Sequence, residues 1–185
     1  MSLPLPEGPF RFIALDVETA ASDSASICQI GLACVRADAT IETWVSFVDP
    51  CCAFSRFNTA LHGIGPAQVR GAPAFAQLAA RLEPLLGAHL LIQHSGFDKR
   101  AIAGAYAALG RLPPQWRWGD SVRIARRAWP EFTGNGGHGL AHLKTQLNLR
   151  FTHHDAGEDA RAAAEVVLQA EGRTGLALEA LLGKG

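Results

Sequence analysis

Three short acidic segments carry the residues best suited to chemistry. The first is Asp16-Val17-Glu18-Thr19, at the end of the apolar run Phe10–Asp16, FRFIALD, which has a buried-strand composition. Alternate residues of a strand share a face, so the Asp16 and Glu18 carboxylates stand side by side. Paired carboxylates are costly beside an apolar sheet unless a cation joins them, and hard divalent cations prefer carboxylate oxygen. Taken alone, the pair is a weak signal that also describes a strand end turning into solvent. The second segment is His94-Ser95-Gly96-Phe97-Asp98, directly after the apolar run AHLLIQ. It places Asp98 at a helix N-terminus, where the helix dipole favours any acidic residue. The third is His154-Asp155-Ala156-Gly157-Glu158-Asp159-Ala160. Asp155 and Glu158 have the N-cap and N3 spacing of a capping box, which gives them a structural task. Asp159 falls about one turn inside the helix, beside the stripe of Ala160, Ala163, Ala164 and Val167. That is a poor place for an unpaired carboxylate and a good one for a metal ligand.

The elements that position these segments follow from the apolar pattern. Phe10–Asp16, Ser26–Val35 and Ile41–Val48 read as three strands, joined by turns near Asp23-Ser24 and Arg36–Ala39 into an antiparallel meander. A loop follows, with Gly63, Gly65 and Pro66, and Pro73 opens a helix to about Leu86. Ala88–Gln93 reads as a short buried strand and Phe97–Leu109 as an Ala-rich helix stopped by Gly110 and Pro113. Helices are expected over Asp120–Trp129, Leu140–Leu147, Ala156–Glu171 and Leu176–Leu182, with a Gly-rich loop at Gly134–Gly139. Strands followed by alternating helix and strand give an α/β layer architecture, a mixed sheet with helices packed on it.

The 185 residues suit one domain, residues 1–185, with a core over about 10–170 and a short helix over about 174–183. Hydrophobic residues make up 48% and charged residues 18%, enough to bury a core, which excludes a disordered, collagen-like or coiled-coil chain. No apolar run is long enough to span a membrane, and the first residues lack the pattern of a secretory signal. Cys28, Cys34, Cys51 and Cys52 have no zinc spacing, and reduced thiols in the cytoplasm are the expectation. Lys plus Arg and Asp plus Glu both number 17, so net charge points to no partner. The distribution is uneven, however. Lys99–His154 holds nine Lys or Arg against Asp120 and Glu131 alone, and His138, His142, His153 and His154 lie in the same stretch. This describes either a solvated face or a surface that meets phosphates.

In this order, FIALDVET, HSGFD and HDAGEDA resemble the motifs of the DEDDh family of 3′–5′ exonucleases, which includes the proofreading epsilon subunit of bacterial DNA polymerase III. HxAxxD marks the histidine subclass. Weaker similarity in SICQIG, LHGIGPAQVRGAPAF, DSVRIARRAWP and HGLAHLKTQLNL extends the resemblance from about Phe10 to Val167. The resemblance implies a ribonuclease H-like sheet, an antiparallel three-strand meander plus parallel strands, flanked by helices. It implies two divalent ions, Mg²⁺ or Mn²⁺, held by Asp16, Glu18, Asp98 and Asp159, with His154 as general base. His153 competes for that role, and the HxAxxD spacing favours His154. The resemblance also places Thr19, and His62 with Ile64, at the 3′-terminal nucleotide, and Phe97 next to Asp98 offers a stacking face or packs in the core. Ser95 stands where the family usually has Asn, a change in local hydrogen bonding that removes no ligand.

The implied reaction is metal-dependent release of nucleoside monophosphates from the 3′ end of single-stranded DNA. The same residues would serve a 3′–5′ exoribonuclease of the oligoribonuclease or RNase T kind, so the motifs do not choose between DNA and RNA. A non-catalytic nucleic-acid-binding module would be marked by a missing ligand or base, and none is missing. The sequence runs only 26 residues beyond Asp159, without the tail by which the epsilon subunit holds its polymerase. A freestanding exonuclease or an excised domain is therefore expected, with no polymerase partner evident.

Overall fold

A computed structural model describes residues 4–183. Its centre is a five-stranded sheet in the order β3-β2-β1-β4-β5. Strands β1 (Phe12–Thr19), β2 (Ile27–Val35) and β3 (Ile41–Phe47) form the expected antiparallel meander. Strands β4 (Leu90–Gln93) and β5 (Arg117–Asp120) run parallel to β1, so the sheet is mixed. Around it lie α1 (Arg56–His62), α2 (Phe75–Ala88), α3 (Phe97–Ala108), α4 (Ser121–Ala128), α5 (Leu140–Gln146), α6 (Ala156–Thr174) and α7 (Leu178–Leu182), with one 3₁₀ turn at Pro130–Phe132.

The alternation within β1 sorts the core into two layers. Ile13, Leu15 and Val17 face α2 and α3, packing with Leu78, Leu82, Ile102 and Tyr106. Phe12 and Ala14 face the other way, with Ile124, Leu143, Ala160, Ala164 and Val167 from α4, α5 and α6. Asp16 and Glu18 continue this second face, and both carboxylates therefore arrive at the N-terminal end of α6. The approach of α6 is unusually close. Gly31, paired with Asp16 across β1 and β2, lies so near the Ala156 carbonyl that a Cβ would overlap it. Gly157 lies equally close to Val45, the partner of Gly31 on β3. A side chain at either glycine would push the third acidic segment off the sheet.

Two elements depart from the expectations. The stretch read as a loop before Gly63 contains α1, which is seven residues long and buries none of them, so its few apolar residues mark no core-facing stripe. It is held by capping instead. Ser55 Oγ accepts from Asn58 N at 3.2 Å, and Gly63 ends the helix in the left-handed region at φ 75°. Strand β5, RWGD, was also not expected. It is four residues long, only half buried, and exists through parallel pairing with β4, from Leu90↔Arg117 to Gln93↔Asp120. Helix α2 begins at Phe75 rather than at Pro73 and accommodates Pro84 in its interior. The remaining helices and strands fall within a few residues of their expected places.

Candidate active site

The three acidic segments meet at one end of the sheet. Asp16, Glu18 and Asp159 each offer a carboxylate oxygen within 4.8 Å of the others. Glu18 is 9% exposed, Asp98 2% and Asp159 3%. Asp98 reaches the cluster from the first turn of α3. Strand β1 pairs with β4 only at Ile13 and Ala14 and runs on beyond it, leaving the Val17 N–H on an open edge. Asp98 Oδ1 accepts that N–H at 3.1 Å. At the far end of β1 the β1–β2 register slips, Glu18 opposite Gln29 and Thr19 opposite Ile27, so a bulge re-aims the strand beside the site.

Helix α6 is docked by polar contacts as well as by its glycine. Asp155 caps it, Oδ1 accepting from Gly157 N and Glu158 N at 3.0 and 3.1 Å. Gln29 Oε1 accepts from Ala156 N at 3.0 Å, which ties the helix start to the strand beside Glu18. Asp159 is then fixed by two donors from the preceding loop. His153 Nδ1–H donates to its Oδ1 at 2.8 Å, and the His154 backbone N–H to its Oδ2 at 2.8 Å. The His153 and His154 rings stack at 4.1 Å, and His154 takes a left-handed φ of 68°. His154 Nδ1 stands 4.0 Å from Glu18 Oε1, and neither of its ring nitrogens makes a hydrogen bond to the described residues.

The electrostatics follow from crowding. Burial lifts the Asp16 carboxyl well above its usual value, and Asp98, Asp159 and Glu18 lift it further. Burial, then Asp159, Asp98 and Asp155, raises Glu18 to about 8. Burial raises Asp98 to about 7 against the lowering effect of the Val17 N–H. Asp159 is also raised by burial, opposed by His153. His154 is held below its usual value, first by burial and then by His153, which favours the neutral ring. Four carboxylates thus share a site with no Lys or Arg paired to any of them among the described residues. An all-oxygen donor set at this spacing fits a divalent cation, which would cancel the repulsion.

Around the cluster lies an open cleft of about 480 Å³. Thr19, Phe57, Leu61, Phe97 and His154 line it with the four carboxylates. Phe97 is 36% exposed, Leu61 45% and Phe57 75%, an apolar lining on both walls. Phe57 and Leu61 escape sequence reading because α1 does. The signal that would have found them is Ser55 capping a helix whose apolar residues stand four apart. His62 sits behind this wall. Its Nδ1 accepts from Ile64 N at 3.0 Å and its Nε2–H donates to the Thr19 carbonyl at 3.0 Å. Asn58 Nδ2 donates to the same carbonyl at 2.9 Å. Both therefore fasten α1 to the end of β1. The structure brings Asp16, Glu18, Asp98, Asp159, His154, Thr19 and Phe97 to the cleft, with His62 as their support. Ser95 is also in the cleft wall, at φ 85°, its N–H donating to Asp120 Oδ1 at 3.3 Å. A larger cavity, about 580 Å³ between β3 and residues 68–73, lies away from the carboxylates.

The family model for exonucleases of the RNase T type matches residues 13–167. The chain belongs to this exonuclease family. All three acidic segments fall inside the match, in the DEDDh arrangement. The chain is 28% identical over 163 residues to a PolC-type DNA polymerase III of Caldanaerobacter subterraneus subsp. tengcongensis, covering 86% of this chain and 11% of that protein. It is 26% identical over 161 residues to the PolC-type enzyme of Clostridium perfringens, covering 85% and 11%. The chain thus spans about a ninth of the length of these curated relatives. Among solved structures, Exonuclease X in complex with 5′ overhanging duplex DNA shares the fold at a TM-score of 0.74 and 20% identity, over 92% of this chain and 97% of that one. E. coli Exonuclease I in complex with a dA16 oligonucleotide gives 0.75 and 18%, over 89% and 41%. The nuclease domain of 3′hExo, a DEDDh family member bound to rAMP, gives 0.73 and 15%, over 88% and 92%. By its family the chain is an exonuclease, a hydrolase of phosphodiester bonds. No helix among the described residues is long and apolar enough to cross a membrane.

Proposed function

We propose that this exonuclease acts from the 3′ end of single-stranded DNA and releases nucleoside 5′-monophosphates by metal-dependent hydrolysis. One observation carries the reading: half-buried Asp16 and buried Glu18 and Asp159 converge within 4.8 Å beside Asp98, with the unbonded ring of His154 at the same opening. Asp16, Glu18, Asp98 and Asp159 would hold two Mg²⁺ or Mn²⁺ ions, directly or through water. Bound there, the ions supply positive charge to the phosphate and to the departing oxygen and lower the pKa of water.

The chain's own residues supply the rest. His154 takes the proton of the attacking water as its oxygen bonds to phosphorus. The bond to the 3′ oxygen of the preceding nucleotide breaks, and that oxygen is protonated from solvent. His153 holds Asp159 in place and its ring supports that of His154. The terminal nucleoside occupies the cleft between Phe97 and the α1 wall of Phe57 and Leu61, where a base gains stacking and apolar contact. Thr19 lies at its inner end, held by Asn58 and His62. A splayed, unpaired end fits this lining better than a paired one.

Product analysis tests the reading. Single-stranded DNA and its RNA counterpart, each incubated with Mn²⁺ or Mg²⁺, should yield nucleoside 5′-monophosphates on chromatography, faster from DNA. Nucleoside 3′-monophosphates, or turnover unaffected by EDTA, would refute it, and a faster RNA reaction would reassign the substrate.

A further inference from the structure

Asp16 and Asp159 stand as a ridge between two chambers, the first of which takes the terminal nucleoside in the reading above. The second chamber, of about 450 Å³, shares Asp16, His94, Ser95, His153 and Asp159 with the first and continues to α4 and the Gly-rich loop. Its character differs. In place of Phe57, Leu61 and Phe97 it is lined by Val122, Arg126 and His138. Resting on the exonuclease reading above, we propose that this chamber is a phosphodiester subsite. In it Arg126 binds the backbone phosphate next to the scissile one on its 5′ side.

The cations of the basic stretch separate into those with tasks and those without. Arg111 pairs with Glu83, Arg127 donates to the Ala180 and Leu181 carbonyls, and Lys144 lies over the Phe151 ring at 4.9 Å. Arg123 and Arg126 are exposed residues of α4, and of the two only Arg126 lines the chamber. No ion pair or hydrogen bond within the described residues occupies it. An unpaired guanidinium facing a cleft, with its planar set of donors, matches a phosphate.

The chamber floor is built to stay open. His94 Nε2–H donates to the His138 carbonyl at 3.1 Å, and Nδ1 bonds Ser121 Oγ at 2.8 Å. His138 is buried and its Nε2–H donates to the Trp129 carbonyl at 2.8 Å. These bonds pin the loop before α5 to both ends of α4, so the wall opposite Arg126 holds its position. A strand whose last nucleoside fills the first chamber passes its scissile phosphate over the ridge and enters the second. There its next phosphate carries a charge and Arg126 is the cation that faces it.

The test uses a fluorescein-labelled oligothymidylate with one neutral methylphosphonate at the linkage 5′ to the scissile one. Binding is read by anisotropy in Ca²⁺ and turnover in Mg²⁺. Arg126→Gln should raise Kd and KM about 10-fold with kcat within about 2-fold, and Arg126→Lys should recover part of the loss. The salt dependence of log Kd should fall by about 0.7, the loss of one contact on a single strand. On wild type the neutral linkage should impose the same penalty, and on Arg126→Gln it should add nothing. A methylphosphonate several linkages upstream, or Arg123→Ala, should not reproduce the effect. Wild-type Kd in Arg126→Gln, or penalties that multiply to about 100-fold, overturns the subsite while leaving the exonuclease reading intact. Failure of wild type to bind or cut any oligonucleotide overturns both.

Discussion

Neutralising Glu18 should stabilise the metal-free protein, by an amount that depends on pH. Glu18 is 9% exposed, and burial together with Asp159, Asp98 and Asp155 lifts its carboxyl from 4.5 to about 8. Between those values the folded chain keeps a proton that the unfolded chain releases. Stability therefore falls as pH rises through this window, the reverse of an ordinary salt-bridged carboxylate. At about 1.4 kcal/mol per pH unit the full interval amounts to about 5 kcal/mol, of which about 4 kcal/mol is reached by pH 8, where the folded group is half ionised. Water entering the open cleft screens the charges and leaves about 2 kcal/mol. For a chain of this size that corresponds to roughly 4–8 °C in Tm. In EDTA at pH 8, Glu18→Gln should melt that much higher than wild type. Near pH 4.5 the gap should shrink to about 1 °C or less, because both side chains are then largely neutral. Adding Mn²⁺ should raise the wild-type Tm more than that of the variant. Melting curves followed by circular dichroism from pH 4.5 to 8.5 decide the matter. Equal Tm values at pH 8, or a wild-type Tm that climbs from pH 5 to pH 8 in EDTA, would refute the electrostatic account of the cluster.

Other outcomes follow from named contacts. His154→Ala should lower kcat by about 10²–10⁴-fold and remove the low-pH limb of the rate profile while metal binding survives. If His153→Ala alone does this, the base is misassigned. Gly31→Ala should cost about 1–3 kcal/mol and also depress turnover, because the new Cβ meets the Ala156 carbonyl and shifts Asp159; a destabilised variant with full kcat would contradict that coupling. Ser95→Gly should stabilise the chain by about 1 kcal/mol in urea unfolding, since φ 85° strains serine, and an unchanged midpoint would show that the strain is absorbed elsewhere.

What the sequence makes legible depends on where the determinants lie. The meander, the Ala-rich α6 and the positions of Asp16, Glu18, Asp98 and Asp159 are local matters of apolar period and segment end. They are readable one segment at a time, and their order in the chain carries the family resemblance. Helix α1 and strand β5 depend on distant partners. The first is fastened by Asn58 and His62 to Thr19, about 40 positions earlier, and the second exists by pairing with β4. Neither carries a core-facing apolar stripe of its own. The support role of His62 and the free guanidinium of Arg126 share this property, because each is defined by what it does or does not touch across the fold. Ser95 shows the converse. The sequence marks it as a departure from Asn, and the left-handed backbone there supplies the physical reason, since Asn tolerates that region better than Ser.

The central claim is that Asp16 and its neighbours hold metal to cut a strand from its 3′ end. The most direct test follows a 5′-labelled single-stranded DNA with Mg²⁺, Mn²⁺ or EDTA, using wild type and Asp16→Ala. The account predicts a ladder shortening one nucleotide at a time from the 3′ end, present with metal, absent in EDTA, and lost in a variant that still folds. Immediate release of labelled mononucleotide, which reports attack from the 5′ end, or an Asp16→Ala variant with wild-type activity, would contradict it.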